Sequence, residues 1–142
     1  MAQESELKTR VRRIWHEVWD EGDTDALDDL LSATFVRTTQ GSPGSLDTAH
    51  TKAAIEATRA AFPDLTTTIE SIVEEDGTLA IFWSSTGTHR SELFGVPATN
   101  RRVETHGSNL CTFENGRMSE ERVTWDPRHL LQALGITSLG ED

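Results

Sequence analysis

The sequence predicts an α+β domain in which N-terminal helices pack on one face of a curved antiparallel sheet. Two observations carry that prediction. The early chain spaces its apolar residues as helices do, and from residue 65 onward the spacing shifts to strand-like alternation punctuated by Asp-Gly and Asn-Gly turns. Helices first and a strand meander afterwards is the order of a two-layer α+β fold.

Leu7, Val11, Ile14, Trp15, Val18 and Trp19 form the apolar stripe of a first helix, which Gly22 ends. Asp23 is a good N-cap for a short second helix presenting Leu27, Leu30 and Leu31. Phe35 and Val36 suggest a short strand, and the glycines and proline of residues 40–46 predict a loop. A third helix runs from about Asp47 to Ala61, where Pro63 stops it. Leu65, Ile69 and Val73 mark a strand over 65–74, and Asp76-Gly77 turns it into a second strand over 78–89. After a loop with Gly95, Pro97 and Asn100, strands follow over 101–113 and 117–125, joined at Asn115-Gly116. Pro127 opens a terminal helix bearing Leu130, Leu131 and Leu134, and Gly135 closes it. With no repeat or linker, residues 1–142 read as a single domain. A curved sheet under a helical cover leaves a cavity at its open end, a natural ligand site.

Composition excludes several classes. Twenty-four acidic against thirteen basic residues give a net charge of −11, a surface that repels nucleic acid and anionic membranes. No apolar run approaches a membrane span, and Met1 to Glu6 lacks the regions of a signal peptide, so a cytoplasmic location is expected. Cys111 is the one cysteine, which rules out an internal disulfide. The five histidines have no paired spacing, and no glycine-rich phosphate loop is present. Neither a metal nor another cofactor is expected.

The second half carries a pattern of motifs: Phe62-Pro63-Asp64, Gly87-Thr88-His89, Phe94-Gly95-Val96-Pro97 through Arg101-Arg102, Glu114-Asn115-Gly116-Arg117-Met118, and Trp125-Asp126 before Leu130 to Gly135. This pattern resembles the SnoaL-like polyketide cyclases, or ester cyclases. The resemblance implies the cone-shaped fold shared with nuclear transport factor 2, and a homodimer or higher homo-oligomer. It also implies cofactor-free aldol ring closure on an aromatic polyketide, with an aspartate as acid/base beside a histidine. Counted from the Asn115-Gly116 turn without gaps, the family's histidine falls on Asn109 and its aspartate on Val123. A valine cannot transfer a proton, so the aldol mechanism cannot run here unchanged.

Three residues are candidates for catalysis. The family pattern places an aspartate at Asp126, where a carboxylate suits proton transfer α to a carbonyl; before Pro127 it is equally an ideal N-cap. Asn109 shares a strand face with Val103, Cys111 and Phe113 and would donate to a substrate carbonyl or enolate, or be a satisfied core amide. His89 shares a face with Ile81, Trp83, Ser85 and Gly87, and would serve as a general base or close the strand end. Trp15, Trp19 and Trp83 would stack on a flat substrate or simply fill the core. Glu120 and Arg122 share a face with Met118, as an ion pair in the pocket or a solvated edge, while Val123 and Trp125 claim the other face. Asp64 reads as a turn residue or as one overhanging the cavity. His106 reads as outward-facing unless a bulge at Gly107 reverses it.

The expected partner is a small hydrophobic molecule, aromatic or polyketide-like. The leading expectation is a cofactor-independent enzyme removing a C–H proton beside a carbonyl. A cofactor-independent hydroxylase of aromatic polyketides and a non-catalytic binding protein are the alternatives.

Overall fold

The computed structural model describes residues 4–136. Helix α1 (Glu6–Trp15) is capped by Ser5, whose hydroxyl accepts from the Lys8 amide at 3.2 Å. Its stripe buries Val11 and Ile14 against the sheet. Burying each such side chain contributes about 1.5–3 kcal/mol, against about 1 kcal/mol for a cap, so packing rather than capping holds α1 in place. The helix then widens into a π-turn over His16–Asp20, closed by the Glu21 amide donating to the His16 carbonyl. Gly22, at φ 80°, ends it. The short second helix is a 3-10 helix, Thr24–Asp29.

Strand β1 (Leu31–Thr39) is longer than the sequence suggested. Helix α2 (Thr48–Ala61) follows, its N-cap Asp47 accepting from the His50 amide. Strands β2 (Thr66–Glu75), β3 (Thr78–Thr88), β4 (Arg102–Glu114) and β5 (Arg117–Trp125) form the predicted antiparallel meander, and α3 (Pro127–Ala133) closes the fold. The sheet order is β1-β5-β4-β3-β2. One correction concerns β1, which pairs with β5 in parallel, so the sheet is mixed rather than wholly antiparallel. The intervening elements act as the long crossover that a parallel pair needs.

Two apolar clusters make the core. One joins α1, β1 and the inner faces of β3 and β4 through Val11, Ile14, Phe35, Leu79, Ile81 and Cys111. The other joins Phe62, Leu65, Val103, Leu130 and Leu134. The outer sheet face leaves Val73, Phe82 and Leu110 exposed.

A β-bulge decides which residues of β5 face inward. Thr112 pairs with Glu120 but Phe113 pairs with Met118, leaving Ser119 unopposed. Met118 is buried, and beyond the bulge the buried positions are Glu121 and Val123. Alternation counted from Met118 puts Glu120 and Arg122 inside; the extra residue turns both outward, and both are exposed.

Candidate functional site

A cavity of about 160 Å³ opens between the two clusters, walled by α1 and its π-turn, α2, α3 and residues from all five strands. Trp15, Trp19, Trp83 and Trp125, all the tryptophans of the chain, line it. Phe62, Leu65, Val103, Val123 and Leu130 complete the apolar wall. A closed apolar cavity of about 150 Å³ holds one benzene. This one is open at a rim where Phe94, 67 % exposed, stands 6.5 Å from Trp125, so it encloses one ring and lets a larger ring system extend outward.

Two hydrogen-bonded chains reach the wall from behind. In the first, the Trp83 Nε1–H donates to Asn109 Oδ1 at 2.9 Å. Asn109 Nδ2 in turn donates to Glu121 Oε2 at 3.2 Å, and Arg37 Nη1 lies 3.4 Å from Glu121 Oε1. Arg37 and Glu121 are register partners across the parallel β1–β5 pair, which is why two charged side chains meet inside the sheet. The Arg37 guanidinium also lies 5.9 Å from the Trp19 ring centre, within cation–π range. Burial pushes the Cys111 thiol well above its ordinary pKa, and the Glu121 charge beside it adds to the effect.

In the second chain, the Trp15 Nε1–H donates to Thr67 Oγ1 at 2.9 Å. The Thr67 amide and hydroxyl donate to Asp20 Oδ1 at 2.7 and 2.9 Å. His16 Nδ1 is 2.8 Å from Asp20 Oδ2 on the solvent side, and that hydrogen bond raises the His16 pKa. The π-turn thus ends on a residue that fixes β2 and, through Thr67, orients Trp15. Ser85 and Thr105, register partners on β3 and β4, share a further hydroxyl–hydroxyl bond in the lining.

The sequence candidates divide. Asn109, Val123, Trp15, Trp19 and Trp83 line the cavity together. Asp126 does not: exposed, it caps α3, accepting from the Arg128 amide at 3.0 Å. His89 is fully buried beneath the wall, its ring 5.5 Å from Phe62. Its Nδ1 accepts from the Thr99 amide at 3.2 Å, which leaves the ring proton on Nε2. That bond ties the Arg90–Asn100 loop to the end of β3.

Asp64 is exposed and accepts from the Thr88 amide and hydroxyl at 2.7 and 2.8 Å, joining the end of α2 to the end of β3. The Thr88 amide holds its carboxyl below the ordinary value. His106 points outward, 3.1 Å from Glu104, because β4 pairs with β3 through Gly107 without a bulge. Glu120 and Arg122 lie outside for the reason given by Ser119.

Arg37, Glu121 and Thr67 were not among the sequence candidates. Alternation from buried Phe35 points Arg37 inward, a signal that the sequence does contain. Among the described residues, no three His, Cys, Asp or Glu side chains group as a metal site would require.

The model of the SnoaL-like polyketide cyclase family matches residues 9–134 of the chain. Among solved structures, AclR, a candidate hydroxylase from Streptomyces galilaeus, is 26 % identical with a TM-score of 0.83; the match covers 94 % of this chain and 98 % of AclR. A candidate polyketide cyclase from Acidithiobacillus ferrooxidans is 26 % identical with a TM-score of 0.81, covering 97 % of this chain and 100 % of that one. IdmH, a candidate polyketide cyclase from Streptomyces antibioticus, is 26 % identical with a TM-score of 0.79, covering 92 % and 99 %. No curated protein matches the chain.

Proposed function

This chain belongs to the SnoaL-like polyketide cyclase family, and from that premise we propose that it is a cofactor-independent enzyme acting on a flat, hydrophobic, polyketide-like carbonyl compound. The observation that carries the reading is the lining itself: four tryptophans around a ring-sized space, with the donors of Asn109 and Arg37 at one wall. An aromatic ring stacks among the indoles. Its carbonyl oxygen then meets the Asn109 Nδ2–H that Glu121 does not engage and the guanidinium, which polarise the carbonyl and stabilise negative charge that develops on its oxygen.

The cavity lining, among the described residues, includes no carboxylate and no imidazole. The nearest carboxylates stand one hydrogen bond behind it, Asp20 behind Thr67 and Glu121 behind Asn109. That arrangement favours a second reading, oxygen-dependent hydroxylation of an electron-rich, hydroquinone-type ring: the reduced ring itself supplies the electrons, one oxygen atom of O2 enters the ring, the other leaves as water, and no catalytic carboxylate pair is needed. Likeness to a candidate hydroxylase supports it.

Incubation with aromatic polyketide carbonyl compounds, followed by mass spectrometry and an oxygen electrode, separates the readings. Ring closure leaves the mass unchanged or removes one water, without oxygen uptake. Hydroxylation consumes O2 and converts a hydroquinone substrate to its hydroxyquinone, a gain of one oxygen and a loss of two hydrogens, with the second oxygen leaving as water. Tight binding with no turnover of any such compound sinks both and leaves a binding protein.

A further inference from the structure

We infer that Glu121 is a specificity-determining residue: by neutralising Arg37 it restricts the cavity to ligands whose anchoring oxygen is uncharged, and turns carboxylates away. The inference rests on reading the cavity as the ligand site.

Arg37 is the one charged side chain in the lining among the described residues. Taken alone, a partly buried guanidinium on an aromatic wall is a receptor for a carboxylate, since its donors pair with two oxygens at once. Here it is already paired. Glu121 Oε1 lies 3.4 Å away, and the side chains are only 15 % and 11 % exposed. Asn109 Nδ2 donates to Glu121 at 3.2 Å and Cys111 Sγ does so weakly at 3.9 Å, while Arg37 Nη1 stands at ion-pair distance from its other oxygen. An acceptor-only carboxylate suits that set of donors.

An anionic ligand entering the cavity loses its hydration among tryptophans. It then meets no uncompensated positive charge, and a second carboxylate stands directly behind Arg37 and Asn109. A ketone or quinone oxygen suffers neither penalty. It takes a hydrogen bond from Asn109 or Arg37 and carries no charge until reaction places one on it. The pairing is built into the fold, since the two residues face each other across β1 and β5.

The test uses two probes of nearly equal shape, 2-acetylnaphthalene and 2-naphthoate, titrated into the protein by calorimetry. Wild type binds the ketone at least tenfold more tightly, and the ratio is retained between low and high salt. Glu121→Gln keeps an oxygen for Asn109 but frees the Arg37 charge, and it changes the net charge only from −11 to −10. It lowers the ratio at least tenfold or reverses it.

A wild-type preference for naphthoate overturns the inference. So does a ketone preference that vanishes in salt, because surface charge is then its source; this arm holds even if the variant fails to fold. A folded Glu121→Gln with an unchanged ratio overturns it too. Binding of neither probe removes the ligand-site reading and this inference with it, an outcome distinct from binding with the wrong selectivity.

Discussion

Gly107 occupies the position over which the Trp83 indole lies: a Cβ there would come within 2.3 Å of Trp83 Cζ2 and 2.9 Å of the Thr124 carbonyl oxygen. The bare backbone gives the ring room to reach Asn109. Gly107→Ala therefore displaces the ring and breaks that hydrogen bond. The expected loss is about 1–3 kcal/mol in urea unfolding, as overpacking costs, with a changed tryptophan near-ultraviolet spectrum. Unaltered stability and spectrum would show that the ring has space to spare.

Arg37→Met leaves Glu121 buried without a counter-charge. Breaking a buried pair from one side costs about 3–5 kcal/mol, whereas replacing both partners with apolar groups is close to neutral. The double variant Arg37→Met/Glu121→Leu is accordingly more stable than Arg37→Met alone. Denaturant unfolding of the three proteins reads the difference, and a double variant weaker than the single would contradict it.

Asp64 sets an acid limb on stability. Its carboxyl is held below the ordinary value of 3.8 by the Thr88 amide. A depressed folded pKa means that its contribution is fully present above the ordinary value and lost as pH falls through the lower folded one. Asp64→Asn should unfold with a shallower loss of midpoint as pH falls below about 4. Identical acid limbs would show that the Thr88 contact is immaterial.

Asp126 holds the first turn of α3 through the Arg128 amide. Asp126→Ala should lower stability by about 1 kcal/mol and Asp126→Asn by much less, since asparagine caps nearly as well. Equal losses in the two variants would mean that charge, not capping, matters at this position.

Cys111 is fully buried and its thiol is pushed up by that burial. The native protein should resist Ellman's reagent near neutral pH and react fully once unfolded, making thiol release a probe of global opening. Rapid labelling of the native state would be the contrary result.

The boundaries of β2 to β5, the turns between them and the apolar stripe of α1 were legible because each depends on residues adjacent in sequence; the start of β1 was not, since Leu31 reads equally as the end of the preceding helix. The inward face of β4, with Val103, Asn109 and Cys111, followed from simple alternation for the same reason. The charged pair behind the wall did not. Placing Glu121 required knowing that Ser119 bulges, and a bulge of this kind has no glycine to announce it. Placing Arg37 against it required the parallel β1–β5 pairing, which joins residues far apart in the chain. Asp126 was ambiguous because Asp-Pro serves equally as a helix start and as a carboxylate near a cavity mouth; only the Arg128 contact and its exposure decide where it points.

The parallel seam between β1 and β5 also governs the order of assembly. β1 has no hydrogen-bonded strand neighbour other than β5 in the sheet, so it has nothing to zip onto until the meander is nearly complete. During synthesis the Arg37 side chain emerges long before its counter-ion, and the pocket stays unfinished until the last strand leaves the ribosome. A nascent chain stalled ahead of Arg117 would have α1, α2 and the β2–β4 ladder available, yet no place to hold a guest.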